Sequence, residues 1–161
     1  MSKNSKRGKK KLISLAIITL AVFLTGFLGS LFTSQTTKSE WYLNNKPSFT
    51  PPGFVFSIAW TILYLLIILA IYFSWTKAKQ NQKKKLAMIF GINLLANALW
   101  SVLFFGMRKP FFAFLDLLII FATIILAICY TKKISKPASA LLVPYLLWII
   151  FAGILNLAFI F

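Results

Sequence analysis

Five apolar stretches, each 20 to 24 residues long, leave this chain one class of fold. They occupy residues 12–32, 54–75, 86–105, 111–130 and 138–161, together 107 of 161 residues. A helix needs roughly 20 residues to cross a hydrocarbon core about 30 Å thick. The ten-residue alternating strands of an outer-membrane barrel are absent. The expectation is an all-α membrane protein, a five-transmembrane-helix bundle spanning 12–161, preceded by a basic, disordered tail at 1–11. Lys9-Lys10-Lys11 ahead of the first stretch invite a signal-peptide reading. That stretch exceeds the usual apolar region of a signal, and Phe32-Thr33-Ser34-Gln35 is a poor cleavage site, so it is read as a retained helix.

A formal charge of +16 would suggest nucleic acid in a water-soluble protein, but its distribution points to a membrane instead. Six of the 18 basic residues precede the first span, five lie between Lys77 and Lys85, and Lys132, Lys133 and Lys136 follow the fourth. Only Lys38, Lys46, Arg108 and Lys109 occupy the alternate loops. Positive charge gathers on the cytoplasmic side, which places the N-terminus inside and the C-terminus outside. Lipid is therefore the expected partner and nucleic acid is not. Cys129 is the sole cysteine and there is no histidine, so neither a disulfide nor a metal centre is expected.

Prolines mark the joints. Thr50 is expected to cap the second span with Pro51 at its first position. Pro110 starts the fourth span after the short Met107-Arg108-Lys109 turn, which makes spans three and four antiparallel neighbours. Pro144 lies inside the fifth and is expected to bend it by freeing the carbonyl of Ala140.

Polar and aromatic residues fall on helical stripes. Phe56, Trp60 and Tyr64 share a face of span two; Asn93, Asn97, Trp100 and Phe104 a face of span three; Tyr145, Trp148, Ala152 and Asn156 a face of span five. Amides in hydrocarbon need partners, so these faces turn inward. Two readings stand: the side chains fasten helices together, or they wall a cavity for a large planar ligand. Taken alone, the stripes favour fastening. Trp41, Trp75 and Tyr130 sit at span ends and read as interface anchors.

Asp116 is the only acid inside a span, and a hydrogen bond to a nearby amide or indole is its expected role. Proton coupling of a transported substrate is the alternative. On span three, Ala87, Gly91 and Ala98 form a small-residue face suited to a second copy of the chain, and Gly26-x-x-x-Ser30 has similar spacing. Two stretches, ending at Lys77 and Lys132, match a loose sterol pattern that many helices also match.

Several spaced motifs between Trp41 and Asn156 resemble the TspO/MBR family of tryptophan-rich sensory and translocator proteins. They are Trp41-Tyr42, Lys46-Pro47-Ser48-Phe49-Thr50-Pro51-Pro52, Trp60 with Leu63-Tyr64, Asn93-x-x-x-Asn97-x-x-Trp100, Phe104-Phe105-Gly106, Asp116, and the Pro144-Tyr145 to Asn156 run. The resemblance implies a five-helix bundle, commonly a homodimer, with a pocket capped by the connector between the first two helices. It implies porphyrin-type tetrapyrroles such as protoporphyrin IX as ligands, and no obligatory cofactor. Phe49, Trp60, Asn93, Asn97, Trp100, Tyr145, Trp148 and Ala152 become ligand-site candidates, and Trp41, Lys46, Pro47, Pro51 and Pro52 the cap.

The function so implied is that of a membrane receptor or sensor, and the Lys-, Asn- and Ile-rich composition with its basic N-terminal tail suits a bacterial plasma membrane. Alternatives are light- and oxygen-dependent porphyrin breakdown, with Trp60 and Trp148 as photochemical partners, and small-molecule transport of tetrapyrrole or sterol. Phe49 and Gly53 stand where the family usually has Trp and another aromatic, thinning the cap. The sterol motif that animal members carry after the fifth helix is not found up to Phe161, which disfavours a sterol ligand.

Overall fold

Hydrocarbon offers no partner to a free peptide group, so each apolar stretch must satisfy its backbone within itself, as a helix does. A computed structural model describes residues 3–161, with side chains from Gly8 onward. The spans are α1 (Lys3–Thr36), α3 (Gly53–Lys77), α4 (Gln80–Ser101), α5 (Pro110–Lys132) and a broken fifth formed by α6 (Lys136–Ala140) and α7 (Val143–Leu157). The short α2 (Glu40–Asn45) lies in the connector, and a π-helical turn (Val102–Gly106) extends α4. No strand occurs among the described residues. This is the expected all-α five-helix membrane bundle.

The helices close a ring. α1 packs on α3 and α4, α4 on α5, α5 on α6 and α7, and these in turn on α3. Ile67 and Ala70 of α3 meet Ile120, Ile124 and Ala127 of α5 and Leu142 and Ile149 of the fifth span in one core. Outward faces carry large apolar side chains, Leu95 being 73% exposed, as expected where the surroundings are lipid. Two glycines allow close approach. A Cβ on Gly26 would lie 2.6 Å from Cε2 of Tyr64, and one on Gly106 2.8 Å from Cδ1 of Phe32.

Three local expectations are corrected. The basic tail is not irregular: α1 continues back to Lys3, because Lys and Arg are good helix formers and extend a helix already nucleated; residues before Lys3 lie outside the described ones. Thr50 does not cap α3, which begins at Gly53 with Pro52 at the N-cap, because Pro47 to Thr50 close a turn of their own. Pro144 does not kink a continuous helix. The chain turns at Leu141 and Leu142, and Pro144 takes the first turn of α7, where its missing N–H costs nothing. Pro110 starts α5 as expected.

Candidate functional site

The inward stripes do converge, and they do so in two storeys. In the lower storey a directional chain of hydrogen bonds crosses the bundle. The Tyr64 hydroxyl donates to Asn97 Oδ1 at 3.3 Å, and Asn97 Nδ2 donates to the Tyr145 hydroxyl at 3.0 Å. Tyr145 donates to Asn93 Oδ1 at 3.1 Å, and Asn93 Nδ2 donates to Thr123 Oγ1 at 2.9 Å and to the Ile120 carbonyl at 3.1 Å. Spans two, three, four and five are thereby joined through side chains, with the oxygen and the nitrogen of each amide bonded. Trp60 lies against Tyr64, Tyr145 and Trp148, and Phe56 meets Trp148 edge-on.

The upper storey is a small chamber of about 40 Å³. Its floor and walls are Phe56, Trp100, Phe104, Phe105, Ala152 and Asn156; Tyr42, Thr50 and Phe159 roof it. Trp100 stacks on Phe104 with ring centres 5.0 Å apart and planes at 19°, as the four-residue spacing requires. The π-helical turn then keeps Phe105 buried beside Phe104, where an α-helical register would swing one of them outward. Its wide hydrogen bonding, Met107 N–H to the Val102 carbonyl at 2.8 Å, belongs to a geometry often found at functional sites. The Phe105 carbonyl has no N–H to receive five residues on, because that residue is Pro110. The Thr36 hydroxyl supplies the bond instead, at 2.9 Å.

The roof is the connector. Ser39 caps α2 by accepting from the Tyr42 N–H, and this turns Trp41 and Tyr42 toward the bundle. Trp41 lies against Phe104 and Phe159, and Tyr42 against Phe105 and Phe159. Burial pushes the Tyr42 phenol above its usual range. Arg108 holds its guanidinium 6.0 Å from the Trp41 ring. Trp41 is thus a lid residue rather than only an anchor. Trp75 and Tyr130, at the opposite end, carry Lys83 and Lys85 over their rings.

The candidate residues fall into groups. Trp100 and Ala152 line the chamber; Trp60, Asn93, Asn97, Tyr145 and Trp148 lie in the storey beneath it. Phe49 is 52% exposed and lines neither storey. Of the cap candidates, Lys46 and Pro52 are exposed, whereas Pro47 and Pro51 are half-buried. Gly91 has open space where a Cβ would stand, and Ala87 is exposed. No group of residues able to hold a metal ion occurs among the described residues.

Asp116 departs from expectation. It is buried in α5, yet its Oδ2 has no hydrogen-bond partner among the described residues. The amides and the indole expected to bond it are committed elsewhere: Asn93 and Asn97 to Tyr145, and Trp100 to Asn156.

Sequence reasoning missed Tyr42, Phe105 and Phe159 as chamber residues. Phe159 lies beyond α7, where helical periodicity carries no information, and Phe105 depends on the π-helical turn. Tyr42 was legible only as the neighbour of Trp41. Thr50 is the other surprise. Its hydroxyl is buried at the chamber without a hydrogen-bond partner among the described residues.

The TspO/MBR family model matches residues 17–161. A tryptophan-rich protein TspO of Archaeoglobus fulgidus is 43% identical over 91% of this chain and 95% of its own length. The translocator protein of Bos taurus is 33% identical over 86% of this chain and 83% of its own. A tryptophan-rich sensory protein of Cereibacter sphaeroides is likewise 33% identical, over 84% and 87%.

Proposed function

The chain belongs to the TspO/MBR family, and from that premise we propose that it is a membrane receptor for porphyrin-type tetrapyrroles, bound in the chamber beneath the Trp41–Tyr42 lid. The observation that carries this reading is the chamber's chemistry. Its walls are stacked aromatic rings, and the Thr50 hydroxyl is buried there with no hydrogen-bond partner among the described residues. A flat macrocycle would gain ring stacking on Trp100 and Phe104 and a hydrogen bond from Thr50.

The chamber is small and only partly enclosed. At about 40 Å³ it is far below the several hundred Å³ that a drug-sized ligand occupies, so binding requires the lid to lift. Ring contacts of Trp41 and Tyr42, each worth ~0.5–1.5 kcal/mol beyond area burial, hold α2 over Phe104, Phe105 and Phe159, with Arg108 against the Trp41 ring. Ligand stacking on the same rings offsets their loss. Asn97 does not orient the ligand in this account, because both ends of its amide are already bonded.

Photochemical breakdown of the ligand has weaker support. Trp60 and Trp148 touch one another with ring centres 6.4 Å apart, but neither lines the chamber. The same reading includes a homodimer through Ala87, Gly91 and Ala98, since that face meets nothing in its own bundle at Gly91.

The test is a titration of protoporphyrin IX into the protein in lipid nanodiscs, followed by tryptophan quenching. Saturation at one macrocycle per chain is expected, with Thr50→Val weakening affinity several-fold. Unsaturable quenching, matched by an unrelated helical bundle, would mean simple partitioning into lipid and would overturn the proposal.

A further inference from the structure

A hollow larger than the chamber, an open cleft of about 450 Å³, lies at the same end of the bundle between α1 and the π-helical turn. We infer that it is a binding site for the headgroup of an anionic phospholipid. This inference is independent of the tetrapyrrole reading.

Three observations carry it. The first is composition. Phe32, Phe105 and Met107 give the cleft an apolar side, while Gln35, Thr36 and Arg108 give it a polar one. An amphiphile with an anionic head and hydrocarbon tails matches both. The second is position. These residues stand where the candidate spans Gly8–Thr36 and Gln80–Gly106 end and the next begins at Pro110, the depth at which phospholipid headgroups meet a bundle.

The third is charge. The chain has 18 basic residues and two acids. Asp116 is buried within α5, so Glu40 is the only acid in any loop. Arg108 is exposed, and Lys38, Lys46 and Lys109 occupy the same end of the bundle. An anion must come largely from outside the chain. A guanidinium recognises a phosphate diester through two parallel N–H donors, and it stacks on an aromatic face while doing so. The Arg108 guanidinium lies over Trp41, an arrangement that leaves its donor edge to a ligand. A zwitterionic headgroup would bring its own cation into an already basic region.

The backbone adds a fourth, weaker sign. Arg108 adopts φ 55°, a left-handed conformation uncommon for a residue with a Cβ. Glycine or asparagine would occupy that position with less strain. Keeping arginine there is a local cost of the kind found where a side chain has a task.

Native mass spectrometry of the detergent-solubilised protein, offered phosphatidylglycerol and phosphatidylcholine with matched chains, reads the site directly. The wild type should retain phosphatidylglycerol with a preference of roughly tenfold, the size expected of one charge-assisted contact. Arg108→Asn, which suits the left-handed turn, should remove that preference; Lys109→Asn, whose ammonium lies over Phe112 instead, should keep it. Gln35→Ala, on α1 and away from the strained turn, should weaken retention without altering the turn. Preference that survives Arg108→Asn, or that Lys109→Asn removes equally, would mean diffuse surface charge and would overturn the inference. Displacement of the lipid by millimolar inorganic phosphate would also overturn it, since a free-anion site needs no acyl chain.

Discussion

The indole N–H of Trp100 donates to Oδ1 of Asn156 at 3.0 Å, and the same amide donates from Nδ2 to the carbonyl of Pro110 at 2.8 Å. One side chain therefore ties α4, α5 and α7 together at the wall of the chamber. The bond also fixes the plane of the Trp100 ring, which stacks on Phe104 and forms the flattest surface a ligand would meet.

Asn156→Leu should accordingly do more than loosen a helix pair. It strands an indole N–H in an apolar setting and removes the second bond to the Pro110 carbonyl, a cost of roughly 1–3 kcal/mol. Unfolding in mixed micelles should shift by that amount, and porphyrin affinity should fall because Trp100 is free to rotate.

Tyr145 is wholly buried and both accepts from Asn97 and donates to Asn93. Tyr145→Phe keeps the ring and removes both bonds. Interhelical hydrogen bonds in membranes average about 0.6 kcal/mol and reach about 1.7, so a loss of roughly 1–3 kcal/mol is expected for the pair. A double-mutant cycle with Tyr64→Phe should show coupling, since both hydroxyls bond the Asn97 amide.

Gly26 and Gly53 should behave oppositely. A methyl on Gly26 would press on the Tyr64 ring and move its hydroxyl off Asn97, so Gly26→Ala should cost about 1–3 kcal/mol by overpacking. Gly53 has open space at that position and starts α3, so Gly53→Ala should be neutral or slightly stabilising. Thermal unfolding of the two variants side by side checks both signs.

Much of the fold was legible because hydrocarbon thickness is such a strict ruler. Each observed span contains most of its apolar stretch, and Pro110 marks a helix start in sequence and structure alike. The errors have local causes. Pro144 reads as a kink when counted from residue 138, but as a first-turn proline once the chain turns at Leu141 and Leu142, and apolarity is blind to that turn. The site was half legible. Periodicity identified the inward faces of α3, α4 and α7. It could not say which of those side chains would satisfy one another and which would be left facing a hollow. That division depends on the heights at which helices meet, so from sequence Asn97 reads as a ligand contact and Thr50 as a helix cap.

The dimer reading has its own probe. Because Gly91 meets nothing in its own bundle, Gly91→Leu should leave monomer stability within about 0.5 kcal/mol, as for substitutions away from packed features. Crosslinked dimer in native membranes should disappear. A dimer that persists would place the contact on another face.

The central claim is that the chamber under the lid is where a macrocycle binds, and filling the chamber tests it most directly. Ala152→Trp puts an indole into that space, whereas Leu95→Trp puts one on the outward face of α4. With both variants confirmed as folded by circular dichroism, protoporphyrin IX should bind Ala152→Trp at least tenfold more weakly than the wild type, a loss of about 1.4 kcal/mol, and bind Leu95→Trp unchanged. Equal affinity for all three proteins would contradict the account and leave the chamber as a packing defect.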